Sequence, residues 1–401
     1  MNNTELMEYA IYHWVFGGDH NLPGLNNNGF FDSNFFEKFP IKSNYEDFSD
    51  QFSLIQRDLD LFNNGSLMLC SGGVDSSLLA CFRKDNLKTN QQSLMHTTYV
   101  GHDNNDLYKF NSILDYCPSN CFVSSIDEHG YMSGLELLTD KNFFQNTYAP
   151  TLAFALNSIG VHKFSCLITG SGPDELFYGM EKYSWDVFEK LSEIPISKAL
   201  EILDPKYNLD SYAKLFNVEG KELFQAVRQK RQDLYINIAE LEMPIFDSQR
   251  LLAYSTVTAQ HMQMFNTVAK LFNLEHKAPY LNNELIKLAL STPLSQLIDL
   301  GADKRVEIGK KYLKKYLLKY MSEEHVYGKK IGFHAPTTKF VYEYGRSFLI
   351  ENIDFLPSWL DKDLTLSELT NRYANPLNTT DYFLYSLINV IKHNMRNSNA
   401  C

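Results

Sequence analysis

Residues 67–82 read LMLCSGGVDSSLLACF, an apolar run broken by two glycines, three serines and a carboxylate before it resumes. That break limits the fold sharply. "SLMLC" (66–70) predicts a short buried strand and "SSLLACFR" the start of a helix, so strand passes into helix through a turn of small residues. At such a junction the first helical N–H groups are unpaired and stand at the positive end of the helix dipole. Gly72 and Gly73 let the backbone approach a bulky anion with no Cβ in the way, and the hydroxyls of Ser71, Ser76 and Ser77 add donors. The stretch reads as a phosphate cradle. Asp75 fits a cradle for anions only if a cation comes with the anion, and a divalent ion shared by the carboxylate and phosphate oxygens meets that need. The plainer alternative is a polar N-cap in which Asp75 merely favours the first helical turn.

Strand and helix alternate after this point. "SLMHTTYVG" (93–101), "CFVSSID" (121–127) and "FSCLITG" (164–170) predict strands, while "NDLYKFNSILDYC" and "YAPTLAFALNSIG" predict helices. Upstream, "YEDFSDQFSLIQRDLDLF" (45–62) spaces Phe48, Phe52, Ile55 and Leu59 at helical intervals. The pattern predicts an α/β fold, a doubly wound and mainly parallel sheet built from βαβ units. From about residue 180 the periodicity turns helical, which predicts an all-helical C-terminal part. Three regions are expected: a cap or small extra layer over 1–44, the main domain over 45–340, and a helical segment over 341–401 packed on it.

A second stretch, "CLITGSGPDELFYGMEKY" (166–183), repeats the logic of the first. A buried strand ends in Gly170-Ser171-Gly172, and Asp174 and Glu175 follow. Asp174 can reach the same cation as Asp75 if the two strand ends lie side by side. By itself the stretch could equally be an acidic helix start.

Composition narrows the partners. The net charge of −11 argues against a nucleic-acid backbone as partner, since such binders carry a basic face. No apolar run has the length of a membrane span and no signal-peptide pattern opens the chain, so a cytoplasmic location is expected. Six cysteines without a C-x-x-C pair fit free thiols better than zinc ligands.

The first loop lacks Gly-Lys-Ser/Thr, so it is not a Walker A sequence. It resembles the pyrophosphate loop of enzymes that split ATP into AMP and pyrophosphate. With "GSGPDELFYG", "HKAPYLNNELIKLAL", "GKKYLKKYL" and "KKIGFHAP" following in order, the chain resembles the synthetase domain of asparagine synthetase and its relatives β-lactam synthetase, carbapenam synthetase and the lasso-peptide cyclases. The resemblance implies an adenine nucleotide alpha hydrolase-like PP-loop fold. It also implies ATP and Mg²⁺ as cofactors. Ser71, Gly72, Gly73, Ser76 and Ser77 would hold the pyrophosphate part of ATP, and Asp75 and Asp174 would ligate Mg²⁺. Leu69 and Val100, with backbone groups of Thr169 and Gly170, would border the adenosine. Lys330 falls on the catalytic lysine and Lys310 on a lysine that contacts the phosphates. A polyphosphate site needs local positive charge, and the segment from Lys304 to Lys330 supplies it in an acidic protein. Lys311, Lys315 and Lys319 are expected on the solvated face of their helix.

The sequence departs from that family at three places. Residue 2 is Asn rather than the nucleophilic cysteine of a glutaminase domain. Nitrogen is therefore expected from ammonia, a substrate amine or a separate amidotransferase subunit. Ser171 stands where asparagine synthetase has Glu and β-lactam synthetase Tyr, leaving Glu175, Glu181 or His334 as candidate bases unless the amine arrives neutral. Lys277 or Ala278 and Asn282 replace the Arg and Asp of the Pro-Phe-Leu-Asp region. These observations lead to an ATP-dependent amide-forming ligase acting on a small-molecule or peptide carboxylate, with natural-product or peptide tailoring ahead of ammonia-dependent amidation of a small carboxylate. Two other readings stand beside it: a PP-loop enzyme acting on tRNA, opposed by the charge, and a non-catalytic nucleotide-binding subunit, opposed by Asp75, Asp174 and Lys330.

Overall fold

The architecture is set by five short parallel strands: β1 (Ser66–Leu69), β2 (Ser93–Tyr99), β3 (Asn120–Ile126), β4 (Cys166–Ile168) and β5 (Glu275–Lys277). Their spatial order is β3-β2-β1-β4-β5. The computed structural model describes residues 1–12, 15, 22–27, 29–32, 35, 45–60, 65–86, 93–100, 105–140, 146–179, 185–204, 213–301, 306–328, 337–371 and 380–399. From β1 the chain winds outward through β2 to β3, then returns to the other side of β1 for β4 and continues to β5. The winding direction therefore reverses between β1 and β4, and a crevice opens there at the strand C-termini.

Alternation along the central strands builds both faces. Leu67, Met95 and Leu167 point to one side, where they pack with Leu152, Leu156, Met264 and Val268. Met68, Leu94 and Ile168 point to the other, against Phe48, Phe52, Leu79, Phe82 and Phe110. The helices on the first side are Ala149–Ser158 and Ala259–Leu271; those on the second are Tyr45–Asp60, Val74–Asn86 and Asn105–Tyr116. The sheet is doubly wound, as the alternation predicts. Phe48, Phe52 and Ile55 are fully buried, so the helical spacing read over 45–62 marks a true apolar stripe.

Beyond residue 180 the chain is mostly helical, with two exceptions. Strand β5 forms from Glu-His-Lys, too short and polar for any periodicity to announce, and exists because β4 offers it a free edge. A small antiparallel ladder pairs Asp299–Leu300 with Val306–Ile308. The N-terminal helix Asn3–Tyr12 packs on Val218–Ala239 and Thr380–Asn399, where Asn389 donates to the Tyr9 hydroxyl at 3.0 Å.

Candidate active site

The loop after β1 is closed on itself by its serines. The Ser71 amide donates to Ser76 Oγ at 3.1 Å, and Ser76 Oγ donates to the Gly73 carbonyl at 3.2 Å. Gly72 has φ +82°, a conformation that costs a residue with a side chain. The helix Val74–Asn86 starts at once, with Asp75 and Ser76 in its first turn. Tyr280 Oη donates to the Asp75 carbonyl at 2.9 Å and pins that turn from below. Gly170, at the end of the neighbouring strand, packs against it so closely that a Cβ would lie 3.2 Å from the Ser76 amide.

Asp75 and Asp174, ninety-nine residues apart in sequence numbering, converge on one cation. The Lys310 ammonium is 2.5 Å from Asp75 Oδ2 and 2.5 Å from Asp174 Oδ1. Burial by itself would lower the Lys310 pKa, but the carboxylates of Asp174 and Asp75 outweigh it and hold the ammonium above its ordinary value. The backbone is built around this contact. Lys310 has φ +54°, its amide donates to the Phe177 carbonyl at 3.0 Å, and a Cβ at Gly179 would lie 2.0 Å from Lys310 Cε. A non-glycine residue held in the left-handed region beside two carboxylates is the kind of strain found at functional sites.

Beside the triad lies a cavity of ≈ 400 Å³. Ser71, Asp75, Ser76, Asp174 and Glu175 are among its polar lining, and Leu69, Met95, Tyr148, Leu152, Met264 and Phe265 among its apolar lining. Such a mixture suits a ligand that carries both charged groups and a flat apolar ring, as a nucleotide does. Among the described residues no group of three or more His, Cys, Asp or Glu side chains could enclose a metal. Two carboxylates at a phosphate cradle are a fitting donor set for Mg²⁺, which keeps waters and takes phosphate oxygens as its other ligands.

The family model described as asparagine synthase matches residues 66–358. The chain belongs to this family. No curated protein matches it. Asparagine synthase family proteins are ATP-dependent carbon–nitrogen ligases, and that general kind of chemistry fits a cavity lined by both polar and apolar side chains. No helix among the described residues is long and apolar enough to cross a membrane.

Leu69, Ser71, Asp75, Ser76, Thr169, Gly170, Ser171 and Asp174 all line the cavity, with Gly72 and Gly73 in the loop below them. Val100 does not. It is 58 % exposed in the turn after β2, out of phase with Met95 and Thr97, which take the wall position. Ser77 is wholly buried and its hydroxyl meets His325 Nε2 at 3.1 Å, so it ties the loop helix to the helix Glu323–Tyr327 rather than facing the cavity. Lys330, Glu181 and His334 lie outside the described residues. The backbone leading to Lys330 is anchored at Gly328, whose carbonyl accepts from the buried Lys109 ammonium at 2.5 Å. Lys311 reaches Asp299 and Lys319 lies over the Tyr316 ring, away from the carboxylate pair. Asn282, at the Asp position of the family pattern, caps the helix Asn283–Ser291 by accepting from the Leu285 amide at 2.9 Å. Lys277 pairs with Glu275 on its own strand.

Glu175 and His261 complete the polar wall. Neither had a sequence signal beyond the Asp-Glu pair itself; His261 follows a π-helical turn at Tyr254–Thr258 that no periodicity marks. Burial, reinforced by the charge on Asp174, pushes the Glu175 carboxyl up to about 8. Glu175 is therefore neutral at pH 7 and a poor candidate for the base that Ser171 lacks. Between about pH 4.5 and about pH 8 the unfolded chain releases this proton while the folded chain keeps it, so this group's contribution to stability is lost as pH rises. Glu175→Gln is expected to melt higher than the native protein above about pH 8 and level with it near pH 4.5. Equal melting temperatures at both pH values would show that Glu175 titrates normally.

Proposed function

We propose that this chain adenylates a substrate carboxylate with ATP, releasing pyrophosphate, and transfers the acyl group to an amine or ammonia, with natural-product or peptide tailoring as its role. A carboxylate oxygen attacks the α-phosphorus and the bond to pyrophosphate breaks; the nitrogen then attacks the acyl carbon and AMP leaves. The observation that carries this reading is the meeting of Asp75 and Asp174 on the Lys310 ammonium at the strand switch, beside a cavity of nucleotide size.

The residues divide the work by chemistry. The Ser71–Ser76 loop, at a helix start, would hold the β- and γ-phosphates. Asp75 and Asp174 would hold Mg²⁺, which neutralises phosphate charge when bound. Lys310 is placed to exchange its carboxylate partners for phosphate oxygens as the nucleotide enters, since its flexible stem can shift by the small distance required. Lys330 would stabilise the charge that builds as the adenylate forms and is attacked. The helix-capping role of Asn282 and the pairing of Lys277 with Glu275 leave neither free to recognise aspartate, which favours a different carboxylate as the acyl donor.

A screen for exchange of labelled pyrophosphate into ATP, across amino acids, peptides and small acids, tests the reading. At least one acid class is expected to drive exchange without any amine present, and product is expected to appear when an amine or ammonium is added. If ATP were cleaved to ADP with every acid that stimulates turnover, adenylation would be ruled out.

A further inference from the structure

A chain of hydrogen bonds runs from the cavity wall into the protein behind Ser171. Ser171 Oγ and Thr169 Oγ1 are 3.0 Å apart, Thr169 Oγ1 and His276 Nε2 are 2.9 Å apart, and His276 Nδ1 is 2.8 Å from Asn266 Oδ1. The sheet register builds it. Leu167 on β4 pairs with His276 on β5, so Thr169, two residues on, continues the same face, and Ser171 follows on the cavity wall.

With the Asn266 amide oxygen toward the ring, one polarity is self-consistent. Asn266 Oδ1 can only accept, so His276 Nδ1 carries the ring proton and Nε2 is an acceptor. Thr169 must then spend its hydroxyl proton on Nε2, which leaves its oxygen to accept from Ser171. Ser171 therefore directs its proton inward and its lone pairs into the cavity. Burial, with Lys277 adding to it, drops the His276 pKa to about 3, so the imidazole is neutral and keeps this arrangement at physiological pH.

We propose that Asn266, His276 and Thr169 are positioning residues that make Ser171 a fixed hydrogen-bond acceptor for the N–H of the attacking amine. This rests on the adenylation reading above. It supplies what the serine lacks as a base: the hydroxyl orients a nitrogen that arrives neutral, and the histidine behind it holds the hydroxyl's direction without storing a proton. A carboxylate at this position would instead attract an ammonium ion. The site thereby selects an unprotonated amine.

Two measurements test it. The first needs no substrate. Two-bond ¹H–¹⁵N correlation spectra of the intact protein should show His276, identified by the signal lost in His276→Asn, as the Nδ1–H tautomer at pH 7. An Nε2–H or doubly protonated ring would overturn the polarity and with it the proposal. The second uses hydroxylamine as nucleophile with whichever acid drives pyrophosphate exchange. His276→Phe should lower hydroxamate formation about tenfold while leaving exchange within about twofold, and His276→Gln, whose amide oxygen can accept from Thr169, should restore it. Equal loss in both steps, or no loss in either, would contradict the role in aminolysis. Absence of exchange with every acid would instead refute the adenylation reading, and the tautomer would still decide the polarity.

Discussion

Asp75→Asn is expected to abolish pyrophosphate exchange, by about 10³-fold or more, in a protein that still folds. The substitution keeps size and hydrogen-bonding capacity but removes one of the two charges that meet at the strand switch. The native triad of Asp75, Asp174 and Lys310 carries a net charge of −1, from two carboxylates and one ammonium. That residual charge would attract a divalent ion; with Asn at 75 the triad is neutral and the attraction would be lost. Stability should respond unequally at the two positions. Asp75 is buried (11 % side-chain exposure) and its loss should cost about 1–3 kcal/mol. Asp174 is 46 % exposed, so solvent screens its pairing and Asp174→Asn should cost less while harming exchange as severely. The double variant should be little worse than either single one, because both act through one shared cation. Thermal melts and exchange assays on the three proteins check this; strong exchange in Asp75→Asn would remove that residue from the mechanism.

Lys330→Ala is expected to be the second severe variant, with turnover lowered about 10³-fold and the fold intact. The reason lies in the charge already committed at the site. Lys310 is the lysine held at the carboxylate pair, and both carboxylates oppose its charge. A transition state that spreads negative charge over the α-phosphoryl oxygens needs a further cation, and Lys330 is the one the family pattern places there. Two residues before it in sequence, the Gly328 carbonyl is tied to that of His325 by the Lys109 ammonium, which donates to both. Circular dichroism and steady-state turnover with the acid found by exchange measure the outcome. Native turnover would show that charge stabilisation comes from elsewhere.

The sheet and the two carboxylates were legible in the sequence because their signals are local. Period-two alternation and a strand-to-helix break around Ser71–Asp75 are written in consecutive residues, and the strand that ends at the second break had to lie beside the first for the two acids to meet. What was not legible depends on register or on distant packing. β5 is three polar residues whose pairing is decided by the edge of β4, so His276 gave no sign of its place behind Ser171. Val100 comes from the family resemblance, but β2 ends at Tyr99; Met95 and Thr97 hold the wall because they alternate toward it. Ser77 looked equivalent to Ser76, yet one helical step turns it by about 100° into the core and onto His325. The neutral Glu175 follows from burial that no linear pattern encodes.

Diffraction at the manganese absorption edge, from crystals grown with Mn²⁺ and a non-hydrolysable ATP analogue, addresses the heart of the matter. An anomalous peak bonded to both acidic side chains, with the nucleotide's polyphosphate reaching over the serine-glycine turn, is the result expected. Density for the analogue elsewhere, or a metal that touches neither Asp75 nor Asp174, would contradict it.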